Sequence, residues 1–123
     1  MSGVDPVAEP VVADQQPSFV IVVRFDLRDE AAAAAFDALT AEALPHIREE
    51  EPGTLMYAVH RVEDEPLSRV FYEVYVDREA HRQHEANPPT AAFLAAMKEH
   101  LTQVRAEFLS GPSGKGVGSA PSV

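Results

Sequence analysis

The chain contains no cysteine and no tryptophan. Without thiols there is no disulfide framework, no thiolate metal site and no cysteine nucleophile, and the redox compartment stays open. Basic residues are scarce: ten Lys and Arg stand against twenty Asp and Glu, for a formal charge of −10. A phosphate-binding surface needs a basic patch, so nucleic acid is excluded as a partner. No apolar run approaches the roughly eighteen residues of a membrane span, so no membrane is expected either. The opening residues carry neither a basic start nor an apolar run, which argues against a secretory signal and for a cytoplasmic protein.

What is present suffices for one domain. The 123 residues are 46% hydrophobic, enough for a core of modest size. Residues 1–17 are acidic, broken by prolines and without periodicity, and are expected to be a disordered tail. Residues 111–123 are rich in Gly, Ser and Pro and are expected to be a flexible tail, or a weak final strand near Lys115–Val123. Its GPSGKGVG segment lacks the spacing of a phosphate loop. The folded domain is then 18–110.

Ser18–Asp26 is a β-branched and aromatic run of strand length. Phe19, Ile21, Val23 and Phe25 share its wholly apolar face, assigned to the helices; Val20, Val22, Arg24 and Asp26 share the other. Asp29 caps a helix to about Glu50, with Phe36, Leu39, Ala43 and Ile47 as its inner stripe. Pro45 should kink that helix or begin a separate last turn. Pro52-Gly53 breaks the chain before a second strand, Thr54–Val62, on which Leu55, Tyr57 and Val59 face the helices. A turn over Glu63–Ser68 leads to a third strand, Arg69–Val76, in an antiparallel hairpin. There the aliphatic set Val70, Val74 and Val76 takes Tyr72 toward the helices, leaving Phe71, Glu73 and Tyr75, with His60 of the second strand, on the opposite face. Asp77 caps a short helix, Arg78–Ala86. Asn87-Pro88, as cap and first helical residue, starts a last helix reaching Leu109, with Phe93, Met97, Leu101, Val104 and Phe108 as its core stripe.

This order is α+β: a ferredoxin-like split βαβ plan, an antiparallel sheet with helices on one face. The uncovered face, carrying Val20, Val22, Met56 and Ala58, is too apolar for water, which points to a homodimer.

Glu51-Pro52-Gly53-Thr54 followed by a tyrosine, then Tyr72-Glu73-x-Tyr75-x-Asp77, Ala80 and His84, resembles the antibiotic biosynthesis monooxygenase domain. The likeness runs from Phe19 to near Pro112. It implies a dimeric α/β barrel and, among several chemistries, cofactor-independent oxygenation of phenols, hydroquinones and anthrones. A deprotonated aromatic passes an electron to dioxygen itself, so the protein supplies a dry pocket, orientation and a base. The implied partners are a small aromatic or quinone-like substrate and dioxygen, with no cofactor. Many relatives carry a second histidine in a pattern like H-L-x-S-x-H-F; here His84-Glu85-Ala86-Asn87-Pro88-Pro89-Thr90 puts Pro89 in that place. The haem-degrading branch uses an asparagine, a tryptophan and a histidine where this chain has Val23, His84 and Leu94, so haem degradation is not implied.

His84 is the leading catalytic candidate, a base or orienter near neutral pH, against the alternative of a structural helix histidine. Tyr72 is the second, against core packing with a satisfied hydroxyl. Tyr57 would bind substrate oxygens, Phe93 would wall the cavity, and Val23 and Met97 would line it. His81 and His84 with Glu85 superficially suggest a metal site, but two histidines without a clear third ligand do not make one, and no metal is expected. His46 and His100 read as solvated. One fold hosts many reactions, so two rivals stand: a non-oxidative isomerase, cyclase or lyase using the same residues, and a non-catalytic small-molecule-binding dimer.

Overall fold

The computed structural model describes residues 18–117. The tail expected over residues 1–17 and the end of the C-terminal segment, 118–123, lie outside the described residues. The elements are β1 (Phe19–Leu27), α1 (Glu30–Glu50), β2 (Thr54–Val62), β3 (Glu65–Tyr75), α2 (Arg78–Ala86), α3 (Pro88–Met97), a 3-10 turn (Lys98–His100) and β4 (Leu101–Leu109). The strands form one antiparallel sheet in the order β2-β3-β1-β4. This is the expected α+β ferredoxin-like plan, with the helices on one face.

Two aspartates set the helix starts. Asp29 accepts from the Ala32 N–H, and Asp77 from the Ala80 N–H, both at 2.8 Å, pairing donors that a helix N-terminus leaves without intrahelical partners. α1 runs through Pro45 to Glu50 as one helix, without a separate last turn. Phe36 on its inner stripe is fully buried and meets the rings of Phe25 and Phe71 at 5.0 and 5.8 Å. Arg69, on β3 and only 3% exposed, fastens the sheet to this helix. Its Nε and Nη2 donate to the two carboxylate oxygens of Asp37 at 2.9 and 3.0 Å, a planar fork that fits a carboxylate.

The last helix ends at Met97 rather than Leu109, and Leu101–Leu109 is the fourth strand. Leu101, Val104 and Phe108 satisfy helical spacing, but Thr102, Val104, Ala106 and Phe108 satisfy strand alternation equally well. Tertiary pairing decides between them. β4 pairs with β1 from Val20↔Leu109 to Leu27↔Leu101, supplying partners to a row of β1 backbone groups that a helix would leave bare. Of the Lys115–Val123 segment, only the part to Val117 is described, and it is a series of bends.

The faces of β3 are also the reverse of the expectation. Tyr57, Glu73, Ile21 and Phe108 form one row across the sheet, and Val59, Phe71, Val23 and Ala106 the next. Both rows face the helices, because Phe71 packs on Phe36 and Phe93. Tyr72 stands in the outward row with Ala58, Val22 and Glu107. The aliphatic set misled because the inward set carries Glu73. A buried carboxylate bonded to a neighbouring hydroxyl breaks the binary pattern without breaking the strand. His100 is not solvated either: its side chain is 16% exposed and its Nδ1 is buried. The outer face carries an apolar row of Met56, Val74, Val20 and Leu109, of which Met56 and Leu109 are exposed.

Candidate functional site

A cavity of about 160 Å³ lies between the inner face of the sheet and the pair α2 and α3. Its sheet wall is Ile21, Val23, Phe25, Tyr57, Glu73, Val104, Ala106 and Phe108. Its helix wall is His81, His84, Glu85, Thr90, Phe93, Leu94 and Met97. The wall is mostly apolar with a few polar groups directed at one region, the composition expected of a small-molecule site.

His84, 4% exposed, is held from behind by Glu51 at the C-terminus of α1. Glu51 Oε1 lies 2.7 Å from His84 Nδ1 and accepts from the Thr54 hydroxyl at 2.8 Å. Glu51 Oε2 accepts from the Asn87 side-chain amide at 2.9 Å. A carboxylate can only accept here, so it places the imidazole proton on Nδ1 and leaves Nε2 as the basic nitrogen. Asn87 was expected to cap α3, and its side chain makes no cap bond; Pro89 at the second helical position has no N–H for the Asn87 side-chain oxygen to accept. The Asn87 side-chain nitrogen donates to Glu51 and holds that carboxylate in place. The approach of these groups depends on Gly53. A Cβ there would stand 2.7 Å from Ala80 Cβ, so only glycine lets the loop lie against α2.

Three aromatic side chains surround the histidine. The rings of Tyr57, Tyr75 and His81 lie 5.2, 5.5 and 6.4 Å from that of His84. The Tyr75 hydroxyl donates to Glu73 Oε1 at 2.6 Å, with both residues buried. Burial pushes the Glu73 carboxyl above its ordinary range, against the Tyr75 bond, which pulls it down. Burial, helped by the charge of Glu73, raises the phenols of Tyr57 and Tyr75 far above theirs, so both remain neutral hydroxyls. Burial lowers the imidazole of His81, outweighing the opposite pull of Glu85. The site thus offers the buried His84 imidazole bonded to Glu51, a second imidazole, His81, 3.4 Å from the exposed carboxylate of Glu85, neutral hydroxyls and an apolar lining. Among the described residues, no three histidine or carboxylate side chains converge as metal ligands.

A wider groove of about 610 Å³ opens beside it, lined by Ser18, Phe19, Arg78, Phe108, Leu109, Ser110 and Gly111. Its charged group is Arg78, which stacks 4.5 Å over the Phe19 ring. It has no acid–base pair, so the smaller cavity is the candidate site. Phe108 belongs to both walls and is 63% exposed, which marks it as the partition at the cavity mouth.

The sequence profile of the antibiotic biosynthesis monooxygenase family matches residues 18–99. The chain belongs to that family. The structure of Rv0793 from Mycobacterium tuberculosis is similar with a TM-score of 0.72 and 25% identity, over 80% of this chain and 98% of that one. Protein SO0527 from Shewanella oneidensis is 28% identical with a TM-score of 0.69, over 76% of this chain and 90% of that one. SnoaB, a cofactor-independent oxygenase from Streptomyces nogalater, has a TM-score of 0.69 over 80% of this chain and 97% of that one. At 19% identity its likeness speaks for the fold alone. No curated protein matches the sequence significantly.

In this antibiotic biosynthesis monooxygenase domain the cavity brings together His84, Tyr57, Phe93, Val23 and Met97. Tyr72 is not among them, since it projects from the other face of β3. Sequence reasoning missed Glu73 and Thr90 as cavity residues, and it did not connect Glu51 with His84. A signal for the last existed: an acid at a helix end, fixed by the Pro-Gly turn that follows, is well placed to hold a partner from elsewhere in the chain.

Proposed function

We propose that the protein is a cofactor-independent monooxygenase that oxidises a small aromatic, quinol or polyketide-like compound with dioxygen. The observation that carries this reading is the buried Glu51–His84 pair against a largely apolar cavity. His84 Nε2 takes the substrate's phenolic proton, and Glu51 stabilises the imidazolium that results. Tyr57, a neutral hydroxyl, holds a substrate oxygen, while Phe93, Val23 and Met97 supply dry walls. The phenolate passes one electron to dioxygen, and the two radicals join in a carbon–oxygen bond. The hydroperoxide then loses water. One oxygen atom stays on the ring as a carbonyl, and the other leaves with the two hydrogens the substrate has lost.

The likeness to SnoaB, itself a cofactor-independent oxygenase, supports this reading at the level of fold. The exposed apolar groups Met56 and Leu109 on the outer face support a homodimer formed through that face. Oxygen uptake with a panel of hydroquinones and anthrones tests the activity, with His84→Ala expected to lose about a hundredfold or more in turnover. Absence of uptake across the panel, or unchanged turnover in His84→Ala, refutes the mechanism. Product formed equally well under strict anaerobiosis would instead favour a non-oxidative isomerase or cyclase.

A further inference from the structure

The proposed chemistry gives Thr90 no task. It is 3% exposed, and its Oγ1 is buried with no hydrogen-bond partner among the described residues. Leaving a buried hydroxyl unpaired carries a substantial desolvation penalty. A helical threonine usually avoids this by donating to the carbonyl one turn back, as Thr40 does to Phe36 at 3.0 Å. Thr90 follows Pro88 and Pro89 in the first turn of α3, so no preceding turn of its own helix supplies that carbonyl. It lines the cavity, and with Tyr57 and Phe93 it also lines a void of about 10 Å³ beside it. Threonine on a helix divides between two χ1 wells, so the hydroxyl can turn toward a ligand at small cost.

The size of the space limits what that ligand is. The cavity holds about 160 Å³, close to the roughly 150 Å³ of an apolar protein cavity that takes up benzene. One six-membered ring with a short polar substituent fits the enclosed part; three fused rings do not.

We propose that Thr90 is a specificity-determining residue whose hydroxyl pairs with a ring oxygen of a single-ring phenol or hydroquinone. The inference rests on the oxygenase reading only for the ligand's identity, since the pairing itself is a binding property. The test is therefore made without oxygen. Phenol, toluene and anthrone are titrated anaerobically into the full chain by NMR, using the wild type, Thr90→Val, Thr90→Ser and Tyr57→Phe. The wild type and Thr90→Ser prefer phenol to toluene, and Thr90→Val reduces that preference roughly three- to tenfold with toluene affinity unchanged. Anthrone does not enter any of them.

The inference is overturned by an unchanged preference in Thr90→Val, by the absence of saturable phenol binding to the wild type, or by anthrone binding as tightly as phenol. Loss of the whole preference in Tyr57→Phe alone assigns the oxygen to Tyr57 and also overturns it. If phenol selectivity follows Thr90 while oxygen uptake is absent, the oxygenase reading falls and this one stands.

Discussion

The carboxylate of Glu51 and the imidazole of His84, 33 residues apart in the chain, meet at 2.7 Å with both side chains buried. The contact joins the end of α1 to α2 and orients the His84 imidazole. Glu51→Gln keeps the shape but removes the charge that holds the ring. Turnover is expected to fall about 10- to 100-fold with KM nearly unchanged. A rise in KM at constant kcat would mean that Glu51 acts on binding rather than on the base.

The outward placement of Tyr72 separates two tyrosines that look alike in the sequence. Tyr72→Phe is expected to leave kcat/KM within about twofold of the wild type, whereas Tyr57→Phe lowers it roughly three- to tenfold. Equal losses in both variants would contradict the face assignment of β3.

Gly53→Ala places a methyl group 2.7 Å from Ala80 Cβ and 3.5 Å from Val76 Cγ1. The backbone of loop or helix must move, at a cost of about 1–3 kcal/mol in stability. Thermal unfolding measures that cost. Because the same loop carries Glu51, turnover below the melting range should fall as well.

Glu73 makes stability depend on pH in an unusual direction. Its ordinary value is 4.5, and burial in the folded state raises it. Between the two values the folded protein keeps a proton that the unfolded chain has lost, so this contribution falls as pH rises through that window. Glu73→Gln retains an acceptor for Tyr75 and removes the slope. Urea unfolding from about pH 4 to about pH 8 should show the variant gaining on the wild type toward the alkaline end.

Asp37 works in the opposite sense. The fork from Arg69 is the main reason that its carboxyl lies below the ordinary 3.8. Its contribution is present in full above 3.8 and is lost as pH falls through the lower folded value. Asp37→Asn should cost about 1–3 kcal/mol near neutral pH, because Arg69 is left buried without its charged partner. The difference from the wild type should shrink in acid.

Much of this architecture is legible in the sequence because local chemistry and tertiary structure agree. Asp29 and Asp77 announce helix starts, Pro52-Gly53 announces a break, and the alternation in β1 assigns its faces. Legibility fails where polar groups are buried or where two periods fit. Glu73 made the inward face of β3 look like the outward one. The spacing of Leu101, Val104 and Phe108 suits helix and strand alike, and only the vacant edge of β1 settles it. Within the site, His84, Tyr57 and Phe93 follow from residue type and position. Glu51, Asn87 and Thr90 matter through contacts or missing contacts that are distant in sequence, which periodicity cannot report.

The order of the strands has a consequence for how the molecule is made. β1 is the first strand among the described residues, yet it lies inside the sheet, between β3 and β4, the last of them. Its second edge therefore waits for almost the whole domain to be synthesised. Until β4 docks, Val104, Ala106 and Phe108 are missing from the cavity wall. The nascent domain then presents an open apolar pocket next to an unpaired strand edge, the combination most prone to intermolecular pairing. Long-range closure of this kind is slow. Docking of β4 thus completes the cavity wall and covers the second edge of β1 in a single step.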